Sequence, residues 1–213
     1  MSIYLIIGTI VWLYALTILK RAKLPAFYFI VGSGGLFFIL IALSDPYWVW
    51  FFTHAVVNGV RWFGAVTGWS TTMPKYSIVS IINQTAPINM SIDYECSGII
   101  ETAAYLSLVV FFPLYNRFEK LFFSVAGMLW IYMANVIRLS VIITILHFAG
   151  ANYFFVAHAM IGRLVFYALV IVLYYEIFTY SQVSQNLYHV IRRRFHRKGL
   201  SDGSELLVKR HPV

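Results

Sequence analysis

Apolar runs of about twenty residues recur along this chain, and they restrict its fold more than any other feature. Ile3–Leu19, Pro25–Leu43, Ser97–Tyr115, Leu121–Ala149 and Phe154–Tyr180 carry little charge in their interiors. A helix rises ~1.5 Å per residue, so about 20 such residues cross the hydrocarbon of a bilayer with every backbone polar group bonded inside the helix. Composition excludes the soluble alternative: of 213 residues 61% are hydrophobic and 11% charged, with mean hydropathy +0.77. A surface so poor in charge would aggregate in water. The fold class read from this is all-α, a polytopic membrane helix bundle, and soluble nucleotide-binding and nucleic-acid-binding classes fall away.

Charge sets the expected orientation. The net charge is +8. Lys20, Arg21 and Lys23 close the first run, and beyond Tyr188 the residues Arg192, Arg193, Arg194, Arg197, Lys198, Lys209 and Arg210 outnumber Asp202 and Glu205 by five. Basic clusters beside spans stay cytoplasmic and meet anionic lipid there, so both clusters belong inside and an even number of crossings separates them. The four later runs supply that number. Tyr47–Trp69 then reads as a re-entrant or interfacial helical segment, and the chain as five crossings with its N-terminus outside. Arg117 and Lys120 fall on the inner side of this scheme. The first run carries its charge after the apolar stretch, the reverse of a cleaved signal peptide, and is expected to stay. Residues 1–187 form one membrane-embedded domain and 188–213 a basic, partly disordered cytoplasmic tail. Between Ser70 and Tyr94, two alternating runs, Tyr76–Ile82 and Ile88–Tyr94, predict a small extracytoplasmic hairpin. Asn83-Gln-Thr85 and Asn89-Met-Ser91 match a glycosylation triplet that is common by chance.

Ionisable groups inside spans cost ~2.5–3.5 kcal/mol each on insertion scales and mark functional sites by default. Glu101, Arg138, His158 and Arg163 qualify. At ~1.5 Å per residue, Arg138 lies about 12 Å below an outer helix end near Leu146, and His158 about 6 Å below the start of the last span. Cys96 sits at the outer start of its own helix, so three helices bring Cys96, Arg138 and His158 to one outer-leaflet layer. A thiol at a helix N-terminus near such cations is favoured as thiolate, the form that attacks carbonyls. The competing reading has Arg138 snorkelling, His158 satisfying a core hydrogen bond and Cys96 packing as a small hydrophobe. As the lone cysteine it forms no internal disulfide. His54, Asn58 and Arg61, at i, i+4, i+7, make one polar stripe that either faces lipid headgroups or lines a polar cavity. Cys96 with His158 falls short of the three or four ligands of a zinc site, and Asp93 with Glu95 is no acid-rich cluster, so no metal and no cofactor is expected.

Glu95-Cys-Ser-Gly-Ile99, Ala134-Asn-Val-Ile-Arg138 and His158-Ala-Met-Ile-Gly162 resemble, in order and spacing, the three signature blocks of the exosortase/archaeosortase family, membrane-embedded cysteine transpeptidases of prokaryotes. The blocks cover roughly Tyr94 to Tyr167, and the chain, shorter than eight-helix members, is similar to the small Gram-positive branch. The resemblance implies a site facing outside the plasma membrane. Cys96 would attack a peptide bond in the C-terminal sorting signal of a secreted protein, His158 would shuttle the proton, and Arg138 would stabilise the oxyanion. A lipid- or glycan-linked amine would then resolve the thioester, or water would. Asn135, three residues before Arg138, is expected to orient the guanidinium. Arg163 follows His158 by five residues, about 140° round an α-helix, and is expected to pair with Glu101 instead. The competing class is a non-enzymatic scaffold or transporter subunit of an envelope or exopolysaccharide assembly complex, for which Cys96→Ser would be silent.

Overall fold

The computed structural model describes residues 3–45, 47–83, 86–92 and 94–180. The basic tail expected over 188–213 lies outside the described residues, as does Asp93. The chain is mostly helical. Helices α1 (Ile3–Arg21), α2 (Pro25–Ser44) and α3 (Tyr47–Thr67) are followed by three short strands, β1 (Ser70–Met73), β2 (Ile78–Ile81) and β3 (Ile88–Ser91). Then come α4 (Ile99–Phe111), α5 (Arg117–Ala149) and α6 (Gly162–Tyr174), the last preceded by a π-helical turn over Val156–Ile161. Past residue 171 the described chain is helical to Tyr174 and a π-helical turn over Tyr175–Tyr180.

Four helical runs are long and apolar enough to cross a membrane: α1, α2, α5 and Val156–Thr179. The protein is a helical membrane protein on that ground. The fifth expected span, Ser97–Tyr115, is here the 13-residue helix α4. Both of its ends have local causes. It starts late because Gly98 takes φ +75, and it stops at Phe111 because Phe112 (ψ 122), the residue before Pro113, is held extended by the proline ring. The Lys120 ammonium donates to the exposed Val110 carbonyl of its last turn. Helix α5 starts four residues before the expected Leu121, because the Glu119 carboxylate accepts the Asn116 N–H at 2.8 Å and caps the first turn.

Small residues decide which helices touch. Tyr105 of α4 is fully buried, its ring lies where any side chain larger than hydrogen at Gly127 would be, and its hydroxyl donates to Phe123 O at 2.7 Å. Gly32 of α2 faces Phe111 in the same way, and there Phe29 and Tyr28 meet Phe112 and Phe111 edge-on. Helix α2 therefore begins where α4 ends.

Helix α3 buries Thr53, Val56, Val57, Val60 and Gly64, one face at i, i+3, i+4, i+7, i+11, while Trp48, Trp50 and Trp62 stay exposed. Its buried valines join Leu139, Ile142, Ile143 and Leu146 of α5 and the inward residues of the strands, Val79, Ile81 and Met90, in one core cluster that also holds Cys96. The strands form an antiparallel sheet of order β1-β2-β3, with Ser70 opposite Ile81 and Ile78 opposite Ser91. The expected hairpin corresponds to β2 and β3; the third strand, β1, was not readable, since Ser-Thr-Thr-Met carries no apolar alternation. Asn83, in the β2–β3 connection, donates to Leu146 O and His147 O at 2.9 and 2.8 Å, and His147 Nδ1 donates to Ile82 O. Trp69 stacks on the His147 ring with 5.1 Å between centroids. The sheet is thereby clipped to the last turn of α5.

Candidate active site

Cys96 ends a 3-10 turn, Tyr94–Cys96, that joins β3 to α4. The left-handed Gly98 that follows turns the chain into the helix, and a Cβ there would already sit 3.4 Å from Asn135 Nδ2. That nitrogen donates to the Cys96 carbonyl at 2.7 Å, which fixes the amide orientation because a carbonyl oxygen takes only a donor. Asn135 is 1% exposed. The expectation that it orients the guanidinium is corrected by this bond: Asn135 holds the backbone of the cysteine.

The Cys96 sulfur lies 3.6 Å from His158 Nε2 and receives Arg138 Nη2 at 3.8 Å. One thiol thus meets a ring nitrogen from the π-helical turn and a guanidinium from α5. Helix α5 delivers Asn135 and Arg138 from one face because they are three residues apart, just under a turn. Arg138 is 5% exposed, and its Cζ stands 5.7 Å from the centroid of the buried Phe166 ring. The His158 ring is stacked by Phe154, 5.6 Å away and within 3° of parallel. Aromatic faces thus flank both partners of the thiol.

Arg138 Nε and Asn135 Oδ1 have no hydrogen-bond partner among the described residues. A buried unpaired polar group costs about 1–3 kcal/mol, so the site holds unspent hydrogen-bonding capacity. Cys96 itself is 7% exposed, enclosed at the end of the turn that leads into α4. It shares its core cluster with Val79, Ile81 and Met90 of the strands and with Ile92 just past β3.

Other singled-out residues stand apart from the thiol. Glu101 is half-buried on α4. Arg163 is exposed on α6, and no Glu101–Arg163 ion pair forms among the described residues. The 140° estimate assumed α geometry throughout, whereas His158 sits in a turn bonded i to i+5. Asn58 and Arg61 are exposed; His54 is half-buried, bonds Trp50 O through Nδ1 at 2.8 Å and leans on the Trp50 ring. A cavity of about 620 Å³ between α3 and α5 is lined by Gly59, Trp62 and Phe63 of α3, and none of the stripe residues lines it. Phe154, Phe166 and Gly162 were not singled out as individual site residues; an aromatic or a glycine in an apolar helix gives no signal of its own.

Compared with known protein families, curated proteins and solved structures, the chain matches none.

Proposed function

We propose that the protein is a membrane-embedded cysteine peptidase or transpeptidase of the exosortase type. The observation that carries this reading is the single thiol with His158 Nε2 at 3.6 Å and Arg138 Nη2 at 3.8 Å, in an enclosed site. His158 takes the thiol proton as Cys96 attacks the substrate carbonyl, and the tetrahedral oxyanion finds the guanidinium of Arg138. Collapse breaks the C–N bond, His158 returns the proton to the leaving amine, and a thioester remains on Cys96. A lipid- or glycan-linked amine then resolves the thioester, or water does. Arg138 Nε and Asn135 Oδ1 are a donor and an acceptor awaiting partners, as a peptide unit supplies.

The topology that goes with this reading has five crossings, with α4 and its flanks completing the one that its 13 residues leave short, and α3 lying in the interface. The site faces the outside of a prokaryotic plasma membrane, and the substrate is the C-terminal sorting signal of a secreted protein.

The test is mass spectrometry of such a substrate after incubation with wild type and Cys96→Ala. Wild type yields a trimmed substrate and a trapped adduct on Cys96. Trimming by Cys96→Ala at the normal rate ends the reading, and a silent Cys96→Ser in cells favours the scaffold class instead.

A further inference from the structure

We propose that Gly162 is a positioning residue: it lets the π-helical turn Val156–Ile161 press against α5 and so sets the His158 imidazole at the thiol. This inference rests on the peptidase reading and adds to it the device that aims the general base.

A π-helical turn holds one residue more than an α-turn and bonds less well, so it persists only where its surroundings fix it. Here the fixing contacts converge on Gly162. Its N–H donates to Ala157 O, five residues back, and closes the wide turn. A Cβ at this position would lie 2.7 Å from Ile142 Cδ1 and 3.0 Å from both Ile142 Cγ1 and Ala157 O. Ile142 and Ala157 are fully buried, so neither can turn out into solvent to make room. Ile142 stands one turn beyond Arg138 on α5, and His158 occupies the turn that Gly162 closes. The Gly162–Ile142 contact thus lies one turn from Arg138 along α5 and four residues from His158 along the last helix. Phe154, four residues before His158, fixes the plane of the ring; Gly162 fixes its distance. Adding a methyl group at position 162 either pushes the turn away from α5 or expels its extra residue. The second change rotates His158 by about 100°. Both carry Nε2 away from the sulfur.

The experiment uses the full-length protein in lipid. Because Cys96 is the lone cysteine, its alkylation by iodoacetamide can be followed by mass spectrometry across pH with no substrate present. His158→Ala is expected to change that pH profile, and Gly162→Ala to reproduce the changed profile. In substrate assays Gly162→Ala should lower kcat about tenfold or more with KM within about twofold. Adding Ile142→Val, which removes the Cδ1 atom that the methyl would strike, should return the profile and most of the rate. If Gly162→Ala does not accumulate, deletion of the exposed Met160, which restores α register, takes its place with the same expected profile. A wild-type alkylation profile in Gly162→Ala, or no rescue by Ile142→Val, overturns the positioning role. An unchanged profile in His158→Ala overturns the positioning role and the triad together. A His158-dependent profile that Gly162→Ala alters and Ile142→Val restores, in a protein that trims no substrate, sinks the peptidase reading alone.

Discussion

Helix α1 buries one residue, Leu16, whereas α5 buries nine, among them Asn135 and Arg138. Both are built mainly of Ile, Leu, Val and aromatic residues, and both are long and apolar enough to cross a membrane. Apolar composition places a helix in the bilayer, but lipid tails are as apolar as leucine and give it no reason to choose a neighbour. Small and polar residues make that choice. Helix α1 has one specific polar contact with α2, Trp12 Nε1 to Val31 O at 2.8 Å, where Gly35 leaves room for the indole. Helix α5 admits Tyr105 at Gly127, caps itself with Glu119, holds the cysteine backbone with Asn135 and reaches the thiol with Arg138.

Substitutions along the two helices should separate these roles. The largest effect is expected for Arg138→Lys: lysine keeps the charge and loses the planar fork, so kcat/KM for substrate trimming should fall by about 10²-fold or more. Near-normal trimming would remove Arg138 from the chemistry. Asn135→Leu leaves the Cys96 carbonyl without its buried donor, at about 1–3 kcal/mol, and should slow trimming about tenfold in a protein that still accumulates. Gly127→Ala crowds Tyr105 and should cost about 1–3 kcal/mol in unfolding titrations in detergent, while the folded fraction keeps its Cys96 alkylation rate. Trp12→Phe forfeits one hydrogen bond, about 0.5–1.5 kcal/mol by the same titration, with trimming unchanged. Ile7→Val, on the exposed side of α1, should stay within about 0.5 kcal/mol. If Ile7→Val proved as costly as Gly127→Ala, α1 would be a packed helix and the contrast would fail.

The sequence carried the parts of this structure that depend on runs and spacing. Apolar length marks α1, α2, α5 and the last helix, and helix rise alone brings Cys96, Arg138 and His158 to a common layer, where the structure has them in contact. Contacts that depend on the path of a loop were not legible. The Cys96 carbonyl becomes the target of Asn135 only because Gly98 turns left-handed, and nothing in Asn-Val-Ile-Arg says so. Helical-wheel angles fail at the π-helical turn, because one extra residue shifts every later side chain round the axis. Arg163 is exposed, and among the described residues it forms no ion pair with Glu101. Strand β1 is set by its pairing with β2, a partner outside any local window.

The bonds from Asn83 to the carbonyls of Leu146 and His147 join positions 63 and 64 residues apart. A ribosome makes the strands long before it makes the end of α5, so Val79, Ile81 and Met90 wait for the α5 part of their shared core until that helix has been inserted. The same order governs the chemistry. Cys96 is synthesised first, Arg138 follows, and His158 comes last, so a nascent chain cannot assemble the thiol, guanidinium and imidazole before the helix carrying His158 has entered the membrane. On the proposed peptidase reading, catalytic competence is in this way deferred until the helix carrying His158 is in place, and a product truncated before it would carry an inert thiol.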